Sequence, residues 1–124
     1  MILGVGVELV DTRRFEAALA RFEGRMKRRL FSETERRYAA EGRRGAQSLA
    51  ARFAAKVAVR RSLGLRHLTW ADAEIVGKRG QAPRLLLHGE AEARARALGV
   101  RDVHVSLTHD ACWCVGHVVL GGGV

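Results

Sequence analysis

Proline is nearly missing from this chain, with one in 124 residues, and cysteine is scarce, with two. So little proline beside an apolar content of 48% argues against a disordered or proline-rich polypeptide and for a chain that can close a core. Cys112 and Cys114 stand one residue apart, too close for an easy disulfide and too few for a disulfide framework, so a reducing compartment is expected. Apolar runs are short as well. The opening MILGVGVELV falls far below the roughly 20 residues of a membrane span and lacks the basic leader and cleavage site of a secretory signal. A cytoplasmic protein without a membrane segment is expected.

Acids are absent from one long stretch. Between Gly42 and Ala71 there is no Asp or Glu, although seven Lys and Arg residues and one His fall within it. Over the whole chain 22 basic residues face 13 acidic ones, a formal charge of +9 that favours anionic ligands or an acidic protein partner. A nucleic acid is not expected, because the sequence shows neither a recognisable binding motif nor a stacking platform of aromatics. A chain of this length forms one domain, residues 1–124, burying roughly two thirds of its unfolded surface, and a symmetric oligomer would suit it.

Residues 2–10 read as a buried strand with Gly4 and Gly6 where backbone or ligand comes close, and with one carboxylate, Glu8, in the middle. Asp11 is placed to cap a helix over 12–22, on which Phe15, Leu19 and Phe22 recur at helical spacing. Arg13 and Arg14 then lie at its exposed start, against the helix dipole, which points to a partner. After the basic segment RMKRRLF, Ser32 and Glu35 form a capping-box pattern ahead of a helix that ends near Gly42. A longer helix spans 46–62 and is closed by Gly64. On it Leu49, Phe53 and Val57 form one row, and Arg52, Lys56 and Arg60 the next. Strands at 69–77 and 83–89 are joined by GKRGQA, whose glycines and basic residues suit a phosphate. A helix over 90–98 and a final pair of strands, 102–109 and 112–120, complete an α+β order with a frayed GGGV tail.

Four features carry chemistry. A carboxylate buried at Glu8 needs a metal, a substrate or a salt bridge to an arginine. The basic row Arg52, Lys56 and Arg60, with Arg61 beside it, has no acid on its own helix and so wants an external or cross-element anion. In HVSLTHD, His104, Ser106 and Thr108 share one strand face, with His109 and Asp110 at the strand end. The CWC segment lacks zinc spacing, and its cysteines read as small core residues.

Together, GVGVELVDTRRFE, ARFAAKVAVRRSLG, GQAPRLLLHG and HVSLTHD resemble the holo-acyl-carrier-protein synthase family of 4'-phosphopantetheinyl transferases, in order and over nearly the whole chain. The resemblance implies an α+β protomer, usually a homotrimer with active sites between subunits. It also implies transfer of 4'-phosphopantetheine from coenzyme A to a serine of an acidic acyl carrier protein, with Mg2+. Carried over residue by residue, it places metal binding on Glu8, and the coenzyme on Arg52, Lys56, Arg61, Ser106, Thr108, His109 and the loop from Gly80 to Pro83; the basic row itself adds Arg60 to the phosphate contacts. The resemblance places Lys56, His109 and Asp110 in catalysis and the carrier on Arg14, beside which Arg13, also at the exposed helix start, is expected to dock it. The family's second metal-binding acid falls on Val57. A second reading follows from that valine: a relative that binds carrier protein, pantetheine or coenzyme A without transferring anything.

Overall fold

The computed structural model describes residues 1–123. Its elements are β1 (Ile2–Asp11), α1 (Thr12–Arg21), α2 (Arg25–Leu30), α3 (Glu33–Glu41), α4 (Gly45–Ser62), β2 (Ala73–Val76), β3 (Arg84–Leu87), α5 (Gly89–Leu98), β4 (Val100–His109) and β5 (Trp113–Gly122). β1, β5 and β4 form an antiparallel sheet in that order, and β2 and β3 form a separate hairpin. The architecture is α+β, as expected.

α4 is the axis of the molecule. Ala50, Ala51, Ala54, Ala55, Ala58 and Val59 are all buried on it, so it is apolar nearly all round, the pattern of an interior helix. Its backbone lies directly on the sheet. A Cβ at Gly6 would stand 1.9 Å from the Ala58 carbonyl oxygen, one at Gly4 2.2 Å from that of Ser62, and one at Gly116 2.4 Å from the Ala55 nitrogen. The β1 glycines therefore serve helix packing rather than a ligand. One cluster packs Val59, Leu63, Ile75, Leu85, Val118 and Leu120 beneath α4. A second gathers Phe15, Phe31 and Leu49, with Phe53 and Trp70 packed against it. There Phe15 stacks on Phe53 at 5.2 Å between ring centroids.

Several local expectations hold. The Asp11 carboxylate accepts from the Arg13 and Arg14 backbone N–H groups, and Ser32 with Glu35 forms a complete capping box. Others change. RMKRRL forms a helix of its own, too short to show a period but anchored by buried Leu30. The strand expected at 69–77 shrinks to β2, because Trp70–Asp72 forms a 3-10 turn. Trp70 and Ala73 carbonyls there serve the Lys56 ammonium, and the Asp72 carboxylate accepts from the Glu90 N–H at the start of α5. The tail is not frayed through its glycines: Gly121 and Gly122 continue β5, while Val124 lies outside the described residues.

β1 is not buried on both faces. Val5, Val7 and Leu9 are 58%, 46% and 56% exposed, and Trp113, opposite Asp11, is 46% exposed. Among the described residues no helix is long and apolar enough to cross a membrane.

Candidate active site

A basic cleft of about 200 Å³ opens beside the first half of α4. It is lined by Tyr38 from α3, Arg44, Ser48 and Arg52 from the start and body of α4, Gly77, Lys78, Arg79, Gln81 and Pro83 from the β2–β3 loop, and Leu107 and His109 from β4. No Asp or Glu lines it. Arg52 is only 5% exposed, and its guanidinium lies 4.2 Å from the centre of the Tyr38 ring, on which Arg79 also packs at 4.5 Å. Nη1 of Arg52 donates to Ser48 Oγ at 2.8 Å, but Nε has no partner. Burial pulls the pKa of this guanidinium down; Tyr38 and the more distant Glu35 oppose the shift, and Arg79 adds to it. A buried cation with an unused donor and no ion pair among the described residues is an anion site in its chemistry.

The second half of α4 carries a different arrangement. Glu8 shares a β1 face with Gly4 and Gly6, the face toward α4. Its Oε2 lies 3.5 Å from Nη2 of Arg61, and its Oε1 accepts from the Leu9 N–H at 3.3 Å. Nη1 of Arg61 donates to the Val7 carbonyl at 3.2 Å. Val57, one turn before Arg61, is buried at 7% exposure. Of the alternatives open for Glu8, the structure shows the salt bridge.

Arg52 and Arg61 do not share a site within one chain. Nine residues of α-helix turn through about 900°, so the two side chains leave opposite sides of α4, roughly 13 Å apart along its axis.

Other expectations are corrected. Lys56 does not face the cleft. It is fully buried, and its ammonium donates to Glu35 Oε1 at 2.9 Å and to the carbonyls of Trp70 and Ala73, which uses all three donors. Burial lowers its pKa and Glu35 opposes that shift. The anion demanded by the acid-free helix is in part this cross-element carboxylate. Arg60 turns to the Leu65 carbonyl at the end of its own helix, at 3.4 Å. Gly80, at φ +77°, sits in the turn closed by Gln81 N–H to the Lys78 carbonyl and does not line the cleft, whereas Pro83 does. Asp110 is a hairpin residue rather than a free proton acceptor. Its Oδ1 accepts from the N–H groups of Cys112 and Trp113, both at 2.8 Å, and those bonds hold its carboxyl below the usual range. Ser106 and Thr108 are exposed, as alternation with half-buried Leu107 requires, and lie on the face of the sheet away from the cleft that His109 lines. Cys112 lies in the hairpin turn and is exposed, so only Cys114 is a core cysteine.

Sequence reasoning passed over Tyr38 and Arg44 and gave Glu35 only a capping role. Tyr38 is the sole tyrosine, three residues beyond Glu35 on α3, and that spacing was the available signal.

Arg13 and Arg14 are exposed on α1. Past its end, Phe22, Met26, Leu30, Phe53 and Trp70 line an apolar groove of about 540 Å³, with Arg25 and Arg29 also lining it.

The model of the 4'-phosphopantetheinyl transferase superfamily matches residues 4–112. The chain belongs to this superfamily. It is 48% identical to the holo-[acyl-carrier-protein] synthase of Streptomyces coelicolor over 89% of each chain. To that of Cutibacterium acnes it is 46% identical over 98% of this chain and 100% of the relative. A solved ACPS–CoA complex from Chronobacterium ammoniagenes superposes with a TM-score of 0.81 at 28% identity, over 98% of each chain. The resemblance assigns the coenzyme to the first of the two sites above and the metal to the second.

The metal position does not suit Mg2+. That ion wants near-octahedral oxygen coordination and is commonly held by one or two carboxylates with substrate phosphates. Here one carboxylate remains, both its oxygens are engaged, and a guanidinium occupies its vicinity. Val57 offers no oxygen, and among the described residues no group of three His, Cys, Asp or Glu side chains converges.

Proposed function

We propose that this protein transfers 4'-phosphopantetheine from coenzyme A to a serine of an acyl carrier protein. One observation carries the reading: the acid-free cleft in which buried, unpaired Arg52 meets Arg79, Lys78 and His109. A terminal phosphate and a diphosphate are the ligands that such a cation cluster stabilises. Relatives at up to 48% identity that are named holo-[acyl-carrier-protein] synthases favour transfer over the binding-only reading. Within the cleft, Arg52 and Pro83 hold the nucleotide end and His109 stands at its mouth.

A homotrimer completes the site in this reading. The exposed Val5, Val7, Leu9 and Trp113 form an apolar outer face on the sheet, flanked by Ser106 and Thr108. Assembly through that face would bring the Arg52 cleft of one protomer beside the Glu8–Arg61 edge of the next, uniting halves that α4 holds apart. Arg13 and Arg14, with Arg25 and Arg29 at the apolar groove beyond them, offer an acidic carrier complementary charge. Exposed Cys112 suits a reducing cytoplasm.

The test is direct. The protein is incubated with coenzyme A and an apo carrier protein, and the carrier is weighed by mass spectrometry. A gain of one phosphopantetheine supports the reading. An unmodified carrier, across several carriers and with coenzyme A still bound, overturns it in favour of a binding module.

A further inference from the structure

We infer that the Arg61 guanidinium takes the place of the divalent cation in this chain, so that transfer proceeds without a metal. The inference rests on the transferase reading and adds to it the source of positive charge at the diphosphate.

Three observations converge. Glu8 is not a free ligand: Oε1 accepts from Leu9 N–H and Oε2 faces Arg61 at 3.5 Å. Arg61 is itself fixed, because Nη1 also donates to the Val7 carbonyl at 3.2 Å. Val57 lies one helical turn before Arg61, on the same side of α4, and is buried. The position that would complete a metal site is therefore filled with hydrocarbon, and the space beside the surviving acid with a cation. A carboxylate longer than aspartate suits this arrangement, since it reaches a guanidinium that is itself anchored on the Val7 carbonyl of the same strand.

Arg61 is half exposed, so it can turn a face to a ligand while Glu8 and Val7 hold it. In the transfer, the carrier serine Oγ bonds to the phosphorus bearing pantetheine, and the bond from that phosphorus to the bridging oxygen breaks. 3',5'-ADP departs with the electron pair, and the serine proton passes to water. Negative charge grows on the non-bridging and leaving oxygens, where a planar, permanently charged donor fork can bind two oxygens at once. Arg61 is the catalytic residue here, and Glu8 a positioning residue.

The experiment compares transfer by the wild-type protein in EDTA and in millimolar Mg2+, alongside a Mn2+ titration of the protein with 3',5'-ADP followed by electron paramagnetic resonance. Expected are rates within about twofold of each other, no saturable Mn2+ binding, and a loss of roughly 100-fold in Arg61→Ala, the scale of removing one transition-state donor. Glu8→Gln should lower kcat with less effect on KM, a split that general destabilisation would not give. Val57→Glu should create Mn2+ binding; if that variant does not fold, the wild-type measurements still decide. Transfer that vanishes in EDTA and returns with Mg2+ overturns the inference. Saturable Mn2+ binding overturns it too, even if no carrier is modified. Absence of transfer under every condition, with no Mn2+ bound, overturns both this inference and the transferase reading on which it rests.

Discussion

Glu35 and Lys56 meet at 2.9 Å with side chains 0% and 1% exposed, and between them they fasten three segments of the chain. Glu35 also accepts from the Ser32 and Ile75 N–H groups, and Lys56 donates to the Trp70 and Ala73 carbonyls. α3, α4 and β2 all lead from this pair into the cleft, through Tyr38, Arg52 and Gly77. Removing one partner leaves a buried charge. Lys56→Met should therefore cost about 3–5 kcal/mol in urea unfolding, and the pair Lys56→Met with Glu35→Gln clearly less than the sum of the single changes. Additive losses would show that the two residues act independently.

Arg52 should behave in the opposite sense for stability. Arg52→Gln removes a buried cation that has no ion-pair partner, so the melting temperature should stay level or rise, while affinity for 3',5'-ADP falls by roughly 10–100-fold. Calorimetric titration and a thermal melt read the two effects on the same sample. Unchanged affinity would place the nucleotide elsewhere.

Glycine substitutions separate packing from turn geometry. Gly6→Ala places a Cβ 1.9 Å from the Ala58 carbonyl oxygen, and separating sheet from helix should cost about 3 kcal/mol. Gly80→Ala meets nothing within 4 Å and pays only for its positive φ, about 1 kcal/mol. Equal losses at the two positions would contradict this account.

Asp110 provides a pH signature. Bonds from Cys112 and Trp113 N–H hold its carboxyl below the ordinary range, and His109 acts in the same direction. A folded-state pKa below the unfolded value, about 3.9, means that its support of the hairpin is complete above that pH and is lost as pH falls through the folded value. The Cys112 and Trp113 amide signals should shift only below about pH 4, and Asp110→Ala should abolish that shift. Titration near pH 7 would restore Asp110 as a base for the reaction.

The apolar outer face of the sheet predicts assembly. Val7→Glu, at a position 46% exposed in the single chain, should convert a trimer to monomers by light scattering and abolish transfer while leaving the circular dichroism spectrum unchanged. Monomeric wild-type protein with full activity would refute it.

Periodicity and capping make most of the fold legible in the sequence. Asp11, Ser32 with Glu35, and Gly64 mark their helix ends through local hydrogen bonding, which sequence spacing reports directly. Arg52, Pro83 and His109 were found for the cleft through the family motifs. Lys56 was misread because a helix row gives the angle of a side chain but not what lies across from it, and Glu35 is 21 residues away in sequence. Ser106 and Thr108 are grouped with His109 only by the family motif; strand alternation, legible in the sequence, sets them on the opposite face.

The backbone-to-backbone seat of α4 on Gly4, Gly6 and Gly116 has a mechanical consequence. A rod clamped along its length can neither slide nor tilt by much, so it works as a fixed ruler between its two charged ends. In the proposed trimer, a coenzyme analogue with a longer or shorter span would be accommodated by how subunits dock, not by movement inside the chain. Selectivity for the nucleotide donor would then rest with the assembly.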